Sequence, residues 1–140
     1  MKAISLKQPF ASLLTIGAKT VETRPWSTRY RGPMIIHAEK TTDPVTDPYF
    51  KSILEAHGLN CDKLPSGRIV GLATLIDCRK IENENIPCYP QLAFSDFKPG
   101  WYLFEFANII RLKKTFPAQG ADHLDHLDHL WEWQDSIKLS

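Results

Sequence analysis

Ile4-Ser5-Leu6-Lys7-Gln8-Pro9-Phe10-Ala11-Ser12-Leu13-Leu14, followed after Thr15 and Ile16 by Gly17-Ala18-Lys19-Thr20-Val21-Glu22-Thr23-Arg24-Pro25-Trp26, holds a strand, a helix, a turn and a second strand in succession. Lys2 to Leu6 alternates loosely and is expected to be the first strand. Proline suits a first helical turn, where its missing N–H has no intrahelical partner to lose. Phe10, Leu13 and Leu14 then form an i, i+3, i+4 stripe, with Ala11 and Ile16 beside it. Gly17 fits the position just past a helix end, where a left-handed backbone is cheap only for glycine. A short helix from Pro9 to Ile16 is the expectation. Thr20 to Arg24 reads as a strand whose period of two sends Val21 and Thr23 to one face, Glu22 and Arg24 to the other.

Outward from this stretch, Pro25 to Pro33 reads as a loop carrying Arg29, Tyr30 and Arg31, and Met34 to Ala38 as a strong branched strand. Thr41 to Pro48 is expected to be extended, because Pro44 and Pro48 disfavour helix. Tyr49 to His57 reads as a helix closed by Gly58. Asn60 to Gly67 is a turn region, and Arg68 to Cys78 the longest strand candidate. Asn83 to Gly100 holds Pro87, Pro90 and Pro99 with little periodicity, and a long surface loop is expected there. Trp101 to Phe106 and Ile109 to Thr115 read as two final strands in a hairpin. Five or six strands with short helices in irregular order imply an α+β domain, its sheet curved or closed into a small barrel.

With 140 residues the chain is expected to be a single domain, 1–140. Its 43% hydrophobic and 24% charged residues are ordinary for a soluble fold. No apolar run approaches the roughly 18 residues of a membrane span, and Met1 to Leu14 lacks a secretory apolar stretch. Cys61, Cys78 and Cys88 are odd in number and without CxxC spacing, against both a disulfide framework and a zinc ribbon. A cytoplasmic location is expected. The net charge is only +1, but its distribution is uneven. Residues 1–40 carry Lys2, Lys7, Lys19, Arg24, Arg29, Arg31 and Lys40 against Glu22 and Glu39, a balance of +5, so the remainder sums to −4. That pattern points to a local anion-binding face.

The turn and strand after the first helix are expected to aim Lys19, Glu22, Arg24 and Trp26 outward. Lysine supplies a point charge for phosphate, arginine a planar fork, and tryptophan a stacking surface. Glu22 could accept from an exocyclic amine or order its two cationic neighbours. A plain strand with a Glu22–Arg24 ion pair above a core tryptophan has the same spacing. His37 reads as a satisfied strand residue, and His57 falls at an expected helix end, where the dipole would favour a cation. Trp101, Tyr102, Phe104 and Phe106 read as packing, and Trp131 and Trp133 as packing before stacking. Asp122-His123-Leu124, repeated through Leu130, could offer imidazole and carboxylate ligands. Nothing else completes a ligand set, so no metal and no cofactor is expected; the repeat reads as an insertion or tail within 118–140.

Ile4 to Leu14 followed by Gly17-x-Lys19-x-x-Glu22-x-Arg24-x-Trp26 resembles the ASCH domain family, named for activating signal cointegrator homology. Arg31-Gly32 and the strand Ile35-Ile36-His37-Ala38 continue the resemblance, which extends in pattern to about residue 117. The resemblance implies a PUA-like small curved β-barrel of five to six strands with two or three short helices. It implies binding of RNA, or of DNA or a modified nucleoside, by a monomer with no membrane partner. Lys19, Glu22, Arg24 and Trp26 carry over directly; Lys7, Gln8, Arg29, Tyr30 and Arg31 complete the expected nucleic-acid-binding set. Some members resemble hydrolases that deacylate a nucleoside with a lysine and a threonine three residues on, or cleave RNA. Here Glu22 stands in that threonine's place, leaving Lys19, Glu22 and Tyr30 as catalytic candidates for the alternative.

Overall fold

In the computed structural model, residues 1–41, 45–82, 97–118 and 130–132 are described. The elements in order are β1 (Lys2–Leu6), α1 (Phe10–Thr15), β2 (Val21–Arg24), β3 (Gly32–Ala38), α2 (Pro48–Ala56), a 3₁₀ turn (Cys61–Lys63), β4 (Arg68–Lys80), β5 (Tyr102–Pro117) and β6 (Trp131–Glu132). One mixed sheet runs in the order β2-β5-β4-β3-β1-β6. Only β1 and β3 are parallel; every other neighbouring pair is antiparallel. The α+β class is as expected, but the sheet is not closed into a barrel: β2 and β6 are its two edges.

Period two explains the two apolar faces. Ile4, Ile36 and Val70 join Ala11 and Leu14 of α1 in the main core, with Leu75, Phe104 and Phe106. Their chain neighbours Ala3, Ile35 and Ile69 turn to the opposite face and pack with Leu72, Leu112 and Phe116. Leu13, a different flank of α1, packs with Leu54 and Leu59 below α2. Two flanks of a six-residue helix are thus occupied, which holds in place a segment too short to be helical alone.

Local chemistry sets the helix ends. Pro9 carries no side-chain acceptor, so Gln8 Oε1 accepts from the Ser12 N–H at 3.0 Å, an orphan donor of the first turn. Pro48 does not bar helix here. It is the first residue of α2, with Asp47 as cap accepting from the Tyr49 N–H at 3.0 Å. At the other end, Gly58 has φ +79°.

The expected terminal hairpin is instead one long strand, β5, paired along β4 from Arg68↔Pro117 to Lys80↔Tyr102. Asn108 takes φ +50°, but the chain is not reversed there. Irregular register at three points along the ladder absorbs the extra residues as bulges, which bend a strand instead of ending it. Trp131 lies in β6, which pairs Lys2↔Glu132 and Ala3↔Trp131. The proline-rich stretch 83–96, Trp133 and the Asp-His-Leu repeat up to His129 lie outside the described residues; Leu130 packs against the main core.

Helix α1 lies close against the sheet at Gly71. A Cβ there would lie 2.6 Å from Thr15 Cγ2 and 2.7 Å from the Ile110 carbonyl oxygen. Gly71→Ala is therefore expected to destabilise the fold by about 1–3 kcal/mol, read as a lower midpoint of urea denaturation. An unchanged midpoint would show that α1 is not seated on β4 as described.

Candidate nucleic-acid interface

The turn at Gly17, with φ +81°, reverses the chain so that the Lys19 N–H donates to the Leu13 carbonyl at 3.0 Å. This geometry tucks Lys19 back beneath α1 instead of presenting it. Its side chain is 0% exposed, and its Nζ lies 3.4 Å from Glu22 Oε1 and 5.8 Å from the centre of the Phe10 ring. Phe10 in turn stacks on Phe50 of α2, with ring centres 6.2 Å apart. The outward lysine expected from the sequence is thus a buried one. The packing of Phe50 and Leu54 of α2, and of Leu59 after it, against Phe10 and Leu13 of α1 closes over the turn.

Glu22 and Arg24 do share a strand face, as period two requires. Their side chains are 15% and 14% exposed, and Arg24 Nη2 reaches Glu22 Oε2 at 3.2 Å. Arg24 Nη2 also donates to the Ser5 carbonyl at 2.7 Å. The Thr23 N–H donates to Glu22 Oε1 at 3.0 Å. Burial pushes the Lys19 ammonium down from its ordinary 10.5, against the upward pull of the Glu22 charge. Burial also opposes the Glu22 carboxylate. The Lys19 and Arg24 charges and the Thr23 N–H outweigh it and hold Glu22 below 4.5.

The remaining sequence-derived residues disperse. Gln8 is buried, its Nε2 donating to the Pro65 carbonyl at 2.7 Å. Trp26 is half-buried, edge-on to Phe104 at 5.1 Å and 87°, and packs against the main core. Tyr30 turns its hydroxyl to the Pro33 carbonyl. Arg31 is exposed, yet it donates to the Thr28 and Tyr30 carbonyls at 3.0 and 2.8 Å and faces Asp77 at 3.7 Å. Lys7 and Arg29 are exposed. His37 is buried and satisfied: Nε2 donates to the Ala118 carbonyl at 2.8 Å, so Nδ1 accepts from the Ser5 hydroxyl at 2.9 Å.

A different cleft, of about 410 Å³, opens between α1 and the far half of β5. Ser12 and Thr15 of α1, Pro65, Val70 of β4, and Arg111, Leu112, Lys113 and Thr115 of β5 line it. Strand β2 pairs with β5 only from Tyr102 to Glu105, followed by the Phe106 N–H to the Thr20 carbonyl. Among the described residues no strand covers that edge of β5 further on. Arg111 and Lys113 are exposed, two apart on one strand. Arg68 donates through Nε to Thr115 Oγ1 and through Nη2 to the Thr115 carbonyl at 2.9 Å. Three hydroxyls and two cations so placed can receive an anion and the groups attached to it. Arg111 and Lys113 are missing from the sequence-derived set because they sit in the net-acidic remainder. Their alternation with Ile110 and Leu112 was the available signal. A second hollow, of about 500 Å³, adjoins the end of α2 but presents Glu55 and Asp62 beside Lys51, a poor anion site. No helix among the described residues is long and apolar enough to cross a membrane.

These features define an α+β domain with one helix laid on a curled mixed sheet and a basic cleft at their junction. The family model for the ASCH domain matches residues 4–116, and the chain belongs to the ASCH domain family. It is 34% identical to activating signal cointegrator 1 of Mus musculus over 127 residues, covering 84% of this chain and 20% of that protein. The same identity and coverage hold for activating signal cointegrator 1 of Homo sapiens. The chain thus spans about a fifth of the length of these relatives. A crystal structure of ASCH from Zymomonas mobilis matches with a TM-score of 0.53 and 18% identity, over 83% of this chain and 72% of that one. That likeness concerns the fold.

Lys19→Met is expected to cost roughly 3 kcal/mol, because it strands a shielded carboxylate with one fewer cation. Denaturant titration measures it. Glu22, whose folded pKa lies below its ordinary value, contributes stability that is complete above about pH 4.5 and lost as pH falls through the folded value. Acid unfolding below pH 4.5 should accordingly be steeper in the wild type than in Glu22→Gln. Superimposable acid limbs would remove the ion pair from the account.

Proposed function

We propose that this ASCH domain binds single-stranded nucleic acid, RNA foremost, by laying a stretch of sugar-phosphate backbone in the cleft between α1 and the uncovered half of β5. The observation that carries the proposal is the convergence of Arg111 and Lys113 with the Ser12, Thr15 and Thr115 hydroxyls on one concavity of nucleotide size. Phosphate contacts from arginine, lysine and hydroxyl groups position a nucleic acid. None of the eight lining residues is aromatic, so backbone contacts carry the affinity and base stacking contributes little. Lys7 and Arg29, exposed on the N-terminal segment, would add long-range attraction for a polyanion. Lys19, Glu22 and Arg24 are assigned to holding the sheet and helix together. In this proposal the module acts as a monomer in the cytoplasm, in keeping with the free thiols of Cys61 and Cys78.

Hydrolysis of an acylated nucleoside or of RNA by Lys19 and Glu22 has less support. The amine is 0% exposed and already beside a carboxylate, so a substrate would have to displace α1 or α2 packing to meet it.

The double variant Arg111→Ala/Lys113→Ala should bind a fluorescent single-stranded oligonucleotide at least tenfold more weakly. Its log–log salt dependence should be shallower by about 1.4, at roughly 0.7 per lost contact on a single strand. Fluorescence anisotropy across a salt series measures both. Unchanged affinity and slope would place the interface elsewhere.

A further inference from the structure

Ser12 stands out among the cleft residues. It is only 5% exposed, yet it lines the cleft. Its N–H goes to Gln8 Oε1, and its carbonyl accepts from Thr15 Oγ1 at 3.0 Å and from the Ile16 N–H at 3.1 Å. Its hydroxyl has no hydrogen-bond partner among the described residues and lies at the wall of the cleft, where a ligand or water can reach it. The neighbouring hydroxyls differ. Thr15 Oγ1 gives its proton to the Ser12 carbonyl. Thr115 Oγ1 accepts from Arg68 Nε, so its own proton is left to point at an acceptor. The cleft therefore presents a donor hydroxyl on the β5 side beside the two cations. On the α1 side, Ser12 can both donate and accept.

A phosphate oxygen is only an acceptor and suits Thr115, Arg111 and Lys113. It leaves the accepting half of Ser12 unused. The group that complements Ser12 must itself donate and accept, and must sit one sugar away from a phosphate. The ribose 2′-hydroxyl has both properties, and DNA lacks it. We propose that Ser12 is the residue by which the cleft distinguishes ribose from deoxyribose, with Arg111, Lys113 and Thr115 holding the adjacent phosphate. This inference rests on the nucleic-acid reading of the cleft and deepens it. It assigns the preference for RNA to one hydroxyl on α1.

Ser12→Ala removes that hydroxyl while leaving the backbone bonds to Gln8, Thr15 and Ile16 in place, and alanine is the better helix former. The experiment compares wild type, Ser12→Ala and Arg111→Ala/Lys113→Ala against an RNA and a DNA oligonucleotide of the same sequence, with circular dichroism to verify folding. Ser12→Ala should weaken RNA binding about three- to tenfold, the effect of one lost hydrogen bond, and weaken DNA binding by clearly less, so that the RNA-to-DNA preference falls. Equal loss for both oligonucleotides, or no loss for either, overturns the role of Ser12 while the cleft itself survives if the double variant still fails to bind. Should the double variant bind both oligonucleotides like the wild type, the cleft itself is refuted. If Ser12→Ala alone unfolds, Ser12→Cys replaces the hydroxyl by a poor hydrogen-bonding group of similar size, with the same two outcomes.

Discussion

The hydrogen bond from Arg24 to the Ser5 carbonyl joins two strands that the ladder keeps far apart. In the order β2-β5-β4-β3-β1, four inter-strand steps separate them, about 19 Å in a flat sheet. A contact of 2.7 Å means that the sheet curls until its first and fifth strands meet. No main-chain pairing seals that junction among the described residues. A guanidinium does, held in plane by Glu22, which is held in turn by Lys19 and the Thr23 N–H. β6 covers β1 only at Lys2 and Ala3, so Ser5 remains available for Arg24. The charged cluster is thus a side-chain latch across an open sheet.

That latch explains why an apparently superficial Lys-x-x-Glu-x-Arg pattern is largely withdrawn from solvent. Three charges near one another and poorly hydrated are costly singly and tolerable together, because each is compensated by another or by a main-chain dipole. α1 and α2 complete the enclosure through Phe10 and Phe50. The same curl that brings β2 to β1 carries α1 across the sheet to Gly71, and leaves the far half of β5 uncovered beside Ser12 and Thr15. The structural cluster and the proposed binding cleft are two consequences of one bend.

Placing function in the cleft also reconciles charge with position. A net charge of +1 offers little general attraction for polyanions. Arg111 and Lys113 are exposed where, among the described residues, no strand covers the outer edge of β5, and lysine and arginine there also discourage edge-to-edge association of sheets.

The amino-acid order alone determined much of this protein: β1, the short helix opened by proline and ended at Gly17, the alternation of Val21 and Thr23 with Glu22 and Arg24, the second helix closed at Gly58, and the family. These follow from local rules of period, capping and backbone freedom, which need no knowledge of distant contacts. His37, read as a satisfied strand residue, depends on Ser5 and Ala118 in the way that reading requires. The tertiary structure decided the rest. Whether Lys19 faces water or Glu22 depends on where α2 packs, and whether residues 102–117 turn back depends on the length of β4 available to pair with them. Whether Arg111 and Lys113 border a cleft depends on a helix a hundred residues earlier. Exposure is a property of neighbours that long-range packing supplies, and no spacing rule along the chain encodes it.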